Sequence, residues 1–142
     1  MAATVGVNDV EVGTELPPQS FTLLRVNLVK YAGASGDFNV IHWNERVATE
    51  VGLPNVIAHG MLTMAEAVRV VTDWCGDPGA VIEYSTKFTK PVPVPDHDAG
   101  ATVDVSGKVI EVLDAGRVKV ELTATCEGVR VLGMARAVVQ LA

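Results

Sequence analysis

The sequence predicts an α+β fold in which an antiparallel sheet holds one long amphipathic helix. Apolar residues recur at three- and four-residue steps between Gly60 and Cys75, and several segments after residue 80 alternate apolar with polar residues. Short turn sequences join the last of those segments, as they do in antiparallel neighbours. The chain has 142 residues, so residues 1–142 read as one domain with a single sizeable core.

In chain order, a first strand is expected near "QSFTLL". The stretch "TLLRVNLVKYAG" reads as a helix ending near Gly33, with Thr22 as its cap. A short helix follows in "NERVATEVG", capped by Asn44 and stopped by Gly52, and Pro54 then extends the chain toward "IAHG". The main helix starts at Gly60. Met61, Met64, Ala65, Val68, Val71, Thr72 and Cys75 are its expected buried face, opposite Glu66, Arg69 and Asp73, and "GDPG" ends it. In "VIEYSTKFTK" the alternation turns Ile82, Tyr84 and Phe88 inward. It does the same for Val103, Val105 and Val109 in the next strand, and for Val118, Val120 and Leu122 in the one after. "VRVLGMARAVVQL" supplies the last strand, with turns at "LDAGR" and "CEGV".

Hydrophobic residues make up 49% and charged residues 20%, which excludes disorder. A net charge of −6 without a Lys/Arg cluster argues against nucleic acid as a partner. A small phosphorylated ligand needs only a local basic patch. Lys87, Lys90, Arg117, Lys119, Arg130 and Arg136 are the candidates, each with surface solubility as the plainer reading. The N-terminus lacks a basic start and a long apolar region, and no apolar run approaches the roughly 20 residues of a membrane span. The expected location is therefore cytoplasmic. Cys75 and Cys126 read as buried reduced thiols.

The stretch "YAGASGDFNVIHW" places Asp37 and His42 five residues apart among turn formers. On a regular helix they would diverge by about 140°. Gly36 and Asn39 favour a bend that lets them converge, with Phe38, Ile41 and Trp43 expected to keep water away. A carboxylate and an imidazole so placed can hold a water or a substrate hydroxyl between them and exchange protons with it. Gly60 adds unpaired amide groups at a helix start, donors suited to the oxygen of an enolate-like thioester. Each piece alone has a plainer reading: Asp37 as a turn cap, His42 as a structural or exposed histidine, Gly60 as a helix start.

"YAGASGDFNVIHW" followed by "IAHGMLTM" and "FTKPVPVPD" resembles the MaoC-like hydratases and dehydratases, (R)-specific enoyl-thioester hydratases of the hot-dog fold. Within that family it resembles the catalytic chains of actinobacterial (3R)-hydroxyacyl-carrier-protein dehydratases of type II fatty-acid synthesis. The resemblance covers nearly the whole chain. It implies Asp37 and His42 as catalytic residues, Gly60 as the backbone donor to the thioester carbonyl, and Asn39 as the supporting motif asparagine. His59, beside the helix start, is expected to support the site by orienting the loop through hydrogen bonds. It also implies an acyl-CoA or acyl-ACP thioester substrate, and a dimer with an identical or a different hot-dog subunit. No cofactor or metal is expected, because the spacing of Asp37, His42 and His59 matches no metal motif. His97 reads as a loop residue.

Three departures from the family pattern stand out. Val40 occupies the place of a usual proline, "PVPVPDHDAG" replaces a tight Pro-Gly-Asp turn, and Val68 stands where some relatives carry a supporting serine. Two other readings use the same residues: a hot-dog thioesterase, and a non-catalytic acyl-binding subunit.

Overall fold

The valine-rich second half closes into one antiparallel sheet around the main helix. The computed structural model describes residues 2–142. Its elements are β1 (Glu15–Leu23), α1 (Arg25–Ser35), α2 (Glu45–Glu50), α3 (Gly60–Cys75), β2 (Val81–Phe88), β3 (Ala101–Leu113), β4 (Arg117–Cys126), β5 (Val129–Arg130) and β6 (Leu132–Gln140). The sheet runs β1-β3-β4-β6-β2, with β5 paired to β4, and every pairing is antiparallel. Inward positions of β3 and β4 alternate as expected, with Val103, Val105, Val109, Val118, Val120 and Leu122 all buried.

Helix α3 lies against this sheet through Thr63, Ala67, Val70, Val71 and Cys75. This corrects the expected face: only Val71 and Cys75 were on it, and Met61 is 56% exposed. Apart from its charged residues α3 is apolar nearly all round, so the periodicity permits more than one stripe. The stripe of small residues is the one buried, because it lets the helix axis approach the sheet closely. The Tyr84 hydroxyl donates to the Met64 carbonyl at 3.0 Å, and burial pushes its pKa up to about 12.

Strand β2 also departs from its expected alternation. Ile82 and Phe88 are 51% and 54% exposed. Register shifts between Val81 and Glu83, and again between Ser85 and Lys87, interrupt the strict alternation, while Tyr84 keeps its expected inward place against α3 and Phe88 lies against Gly60. At the other edge of the sheet, Thr22 belongs to β1 and caps nothing. The start of α1 is instead closed by Asn27, whose Oδ1 accepts from the Leu24 amide at 2.8 Å. Helix α1 runs two residues past Gly33 and stops at Gly36, whose φ of 76° suits glycine. Asn44 and Gly52 bound α2 as expected: Asn44 Oδ1 accepts from Val47, and Gly52 has φ 90°. Both cysteines are free and buried.

A second, smaller layer fixes the loop between α1 and α2. Residues 56–58 pair with 92–94, through Val94 N–H to the Val56 carbonyl at 2.8 Å and Ala58 N–H to the Val92 carbonyl at 2.9 Å. Arg25 locks this layer to both helices. Its Nε donates to the Val94 carbonyl at 3.0 Å and its Nη2 to Glu45 at 2.7 Å and to Asn55. Arg25→Met leaves the Val94 carbonyl without its donor and removes one of the two donors to Asn55 Oδ1, the Val56 amide remaining, and should cost about 2 kcal/mol. Urea unfolding measures it; a loss below about 0.5 kcal/mol, the range of ordinary surface changes, would show that the clamp is not structural.

Candidate active site

The loop that follows α1 satisfies its own polar groups. Ser35 Oγ donates to the Tyr31 carbonyl at 2.7 Å and accepts from the Asp37 amide at 3.2 Å. Asp37 Oδ1 accepts from the Asn39 amide at 3.2 Å, and Asn39 Oδ1 from the Ile41 amide at 3.3 Å. These short side-chain-to-backbone bonds turn the chain into a 3₁₀ turn, Val40–His42, and make a bend rather than a helix out of the segment. Val40 begins this turn without the usual proline; the Asn39 side chain caps it instead.

Asp37 and His42 converge. Asp37 Oδ2 lies 3.9 Å from His42 Nε2, beyond direct hydrogen-bond range. A single water or hydroxyl can bridge that gap. His42 Nδ1 lies 2.7 Å from the Ile57 carbonyl, and the Ile57 amide donates to the Ile41 carbonyl at 3.2 Å. A carbonyl only accepts, so Nδ1 carries a hydrogen, and whenever the ring is neutral the lone pair of Nε2 is the one turned toward Asp37.

His59 supports both residues from behind. Its ring stacks on His42 with centroids 3.8 Å apart and touches Tyr31 at 4.8 Å. Its Nε2 donates to the Asp37 backbone carbonyl at 3.1 Å, so its Nδ1 carries no hydrogen; that atom is buried without a partner. Burial is the main cause holding the His59 pKa below 6.5. The neighbouring His42 adds to it, while the Asp37 carbonyl and carboxylate pull the other way.

The expected shielding by aromatic residues is corrected. Phe38 and Trp43 are 63% and 52% exposed, with the Trp43 indole N–H donating to the Phe38 carbonyl at 3.1 Å. The loop is too short and too fully hydrogen-bonded to fold these side chains back over His42. What buries His42 is His59, the 56–58 segment and a cavity wall.

That cavity, of about 360 Å³, brings His42 and Gly60 together with Leu53, Ile57, Thr63 and Phe88. Asp37 stands outside its wall and reaches His42 from the loop. The first intrahelical bond of α3 runs from the Thr63 amide to the His59 carbonyl at 3.1 Å, so the Gly60 amide precedes the ladder. Why glycine stands at 60 has a second cause: a Cβ there would meet the Phe88 ring at 2.8 Å.

Sequence reasoning missed Thr63 and Phe88. Val68, at the expected serine position, is absent from the cavity wall, whereas the buried Thr63 is part of it, its hydroxyl 3.5 Å from the His59 carbonyl. The available signal was spacing, since Thr63 sits one turn after Gly60 on the same helix face. Asp37, His42 and His59 also offer potential metal-ligand atoms within 4.8 Å of one another. One nitrogen of each ring donates to a backbone carbonyl and is not free to bind a metal. His97 lies apart, accepting from the Gly100 amide at 3.2 Å.

A family model described as "MaoC like domain" matches residues 8–126. The chain belongs to this family. 3-Hydroxyacyl-thioester dehydratase X of Mycobacterium tuberculosis is 39% identical over 84 residues, 57% of this chain and 29% of that protein. The (R)-specific enoyl-CoA hydratase of Rhodospirillum rubrum is 36% identical over 91 residues, 63% and 62% of the two chains. A solved MaoC-like dehydratase superposes on 99% of this chain with a TM-score of 0.95 at 39% identity, and this chain spans 43% of it. The ChsH1-ChsH2 complex from Mycobacterium tuberculosis, at 22% identity and a TM-score of 0.80, shares the fold. The chain spans less than two thirds of the two named curated relatives and of the solved dehydratase, whereas the match to the ChsH1-ChsH2 complex covers 94% of this chain and 99% of that one. The sheet around α3 is the hot-dog fold of this family. Among the described residues, no helix is long and apolar enough to cross a membrane.

Two measurements test the MaoC-like site. The unfolded chain takes up a proton at His59 that the folded chain resists, so folding stability should fall as pH drops below about 6.5. His59→Asn should show a flatter slope there by urea unfolding; parallel slopes would mean His59 titrates normally. Gly60→Ala should cost about 1–3 kcal/mol by pushing on the Phe88 ring. Adding Phe88→Ala should return most of that loss in a double-mutant cycle, and purely additive losses would remove Phe88 as the cause.

Proposed function

We propose that the chain, acting as one domain of residues 1–142, interconverts trans-2-enoyl and (3R)-3-hydroxyacyl thioesters by reversible loss of water. The acyl group rides on coenzyme A or an acyl carrier protein, and the dehydration direction serves fatty-acid elongation. The observation that carries this reading is the placement of His42 Nε2 opposite Asp37 Oδ2 across 3.9 Å, with Gly60 in the wall of the same cavity as His42.

In dehydration, His42 Nε2 takes the proton from C2 of the hydroxyacyl thioester. The electron pair moves toward the thioester oxygen, to which the Gly60 amide donates. The C3–O bond then breaks, and the hydroxyl leaves as water with the proton that His42 returns. The Asp37 carboxylate accepts the hydroxyl's hydrogen beforehand, orienting it, and stabilises the imidazolium between the two transfers. Hydration reverses these steps, starting from a water held between Nε2 and Oδ2. Asn39 and His59 hold Asp37 and His42 in register. The name of the Rhodospirillum rubrum relative supports the (R) configuration. Strand β2, with exposed Ile82 and Phe88 and one unpaired edge, supports a second hot-dog subunit, identical or different.

The purified chain mixed with a trans-2-enoyl-CoA should lose the conjugated enoyl absorbance without releasing free thiol. Asp37→Asn and His42→Ala should each lower kcat by on the order of 10²-fold or more, with circular dichroism unchanged. Thiol release would instead make the chain a thioesterase. Near-normal turnover in either variant would remove that residue from the chemistry, and an inactive wild type that still binds the thioester would be an acyl-binding subunit.

A further inference from the structure

We propose that Lys90 is the anion anchor of the substrate's carrier arm, its ammonium group taking the phosphate that coenzyme A and phosphopantetheinyl carrier proteins share. The proposal rests on the thioester reading above. A chain of net charge −6 repels such a ligand at long range, so a local cation beside the cavity is needed to hold it.

Of the six cations that the sequence offers for a phosphate, the fold pairs two with carboxylates and sets two more against neutral acceptors outside this cavity. Lys119 pairs with Glu111 at 2.5 Å and Arg136 with Glu121 at 3.1 Å. Arg117 donates to the Asp114 carbonyl at 3.1 Å, and Arg130 to Thr123 at 3.5 Å. Among the described residues Arg117, Arg130, Lys87 and Lys90 have no carboxylate within salt-bridge range, and of these four only Lys90 lines the cavity that holds His42 and Gly60.

The cavity has the polarity of a thioester with a buried acyl end and an anionic outer end. Its depth is formed by buried Val92, Val131 and Leu132, and no carboxylate lines its wall. Its exposed rim carries Phe88, Thr89 and Lys90. The backbone on both sides of Lys90 is held. The Thr89 amide donates to the Val131 carbonyl at 3.1 Å and its Oγ1 to the Arg130 carbonyl at 3.2 Å. On the other side Pro91 fixes its own φ, and the Val92 carbonyl accepts from Ala58 at 2.9 Å. Lys90 is thus an exposed charge on a fixed root, suited to a phosphate presented from solvent.

Calorimetric binding of coenzyme A, 4′-phosphopantetheine and phosphate-free pantetheine tests the anchor directly. Lys90→Ala should weaken the two phosphorylated ligands by about three- to fivefold and Lys90→Glu by about tenfold or more, with pantetheine unchanged. In turnover, KM for an enoyl-CoA should rise with kcat unchanged, the rise should shrink at high salt, and the enoyl-pantetheine thioester should be indifferent to the substitution. The same loss should appear for an enoyl group on a carrier protein, and the larger wild-type kcat/KM identifies which carrier the anchor serves. Equal losses on pantetheine, no loss on either phosphorylated ligand, or a loss confined to coenzyme A would each overturn the proposal. Should the wild type bind these ligands yet turn none over, the hydratase reading fails, while the binding series still decides Lys90.

Discussion

The packing of α3 against the curved sheet is the constraint on which the rest depends. Ala67, Val70 and Val71 are fully buried at that contact. Their small size sets how closely helix and sheet approach, and so where the first turn of α3 emerges. His59, Gly60 and Thr63 belong to that turn. The support of the carboxylate–imidazole pair, the backbone donor and the buried hydroxyl are therefore positioned by one rigid body rather than by independent loops.

Around this turn the fold concentrates its few buried polar side chains. His42, His59 and Thr63 are the buried polar residues of the described chain. The two histidines are stacked, and each donates one ring N–H to a backbone carbonyl. Two backbone carbonyls thereby fix two tautomers, leaving one lone pair facing Asp37 and the other buried unpaired. An unpaired buried acceptor costs free energy, and costs of that kind collect at reaction centres, where a defined protonation state outweighs local stability. His42 faces a cavity with a largely apolar wall, which raises the strength of each charge contact within it.

The site's two halves differ in how they are held. His42 is gripped through Ile57, which sits in the segment paired to residues 92–94 and clamped by Arg25. Asp37 is half-exposed and held by the turn bonds of its own loop and by His59 beneath its carbonyl. A rigid imidazole beside a more accessible carboxylate suits a reaction in which water enters or leaves on one side of the pair while the acyl group occupies the cavity on the other.

Sequence by itself determined the element order, the ends of α2 and α3, the inward valines of β3 and β4, and the convergence of Asp37 with His42. These follow from period, capping and turn chemistry, which act within a few residues of each other. Tertiary structure alone decided which stripe of an almost wholly apolar α3 is buried, because the sheet, not the helix, selects the closest fit. It likewise broke the alternation of β2 with two register shifts that leave Ile82 exposed, turned Phe38 and Trp43 outward, and put Thr63 rather than Val68 in the cavity wall with His42. Those outcomes depend on partners distant in the chain, so no local pattern encodes them. The same holds for Lys90: the sequence makes it one cation among six, and only the fold separates it from ion pairs and sets it at the cavity's rim.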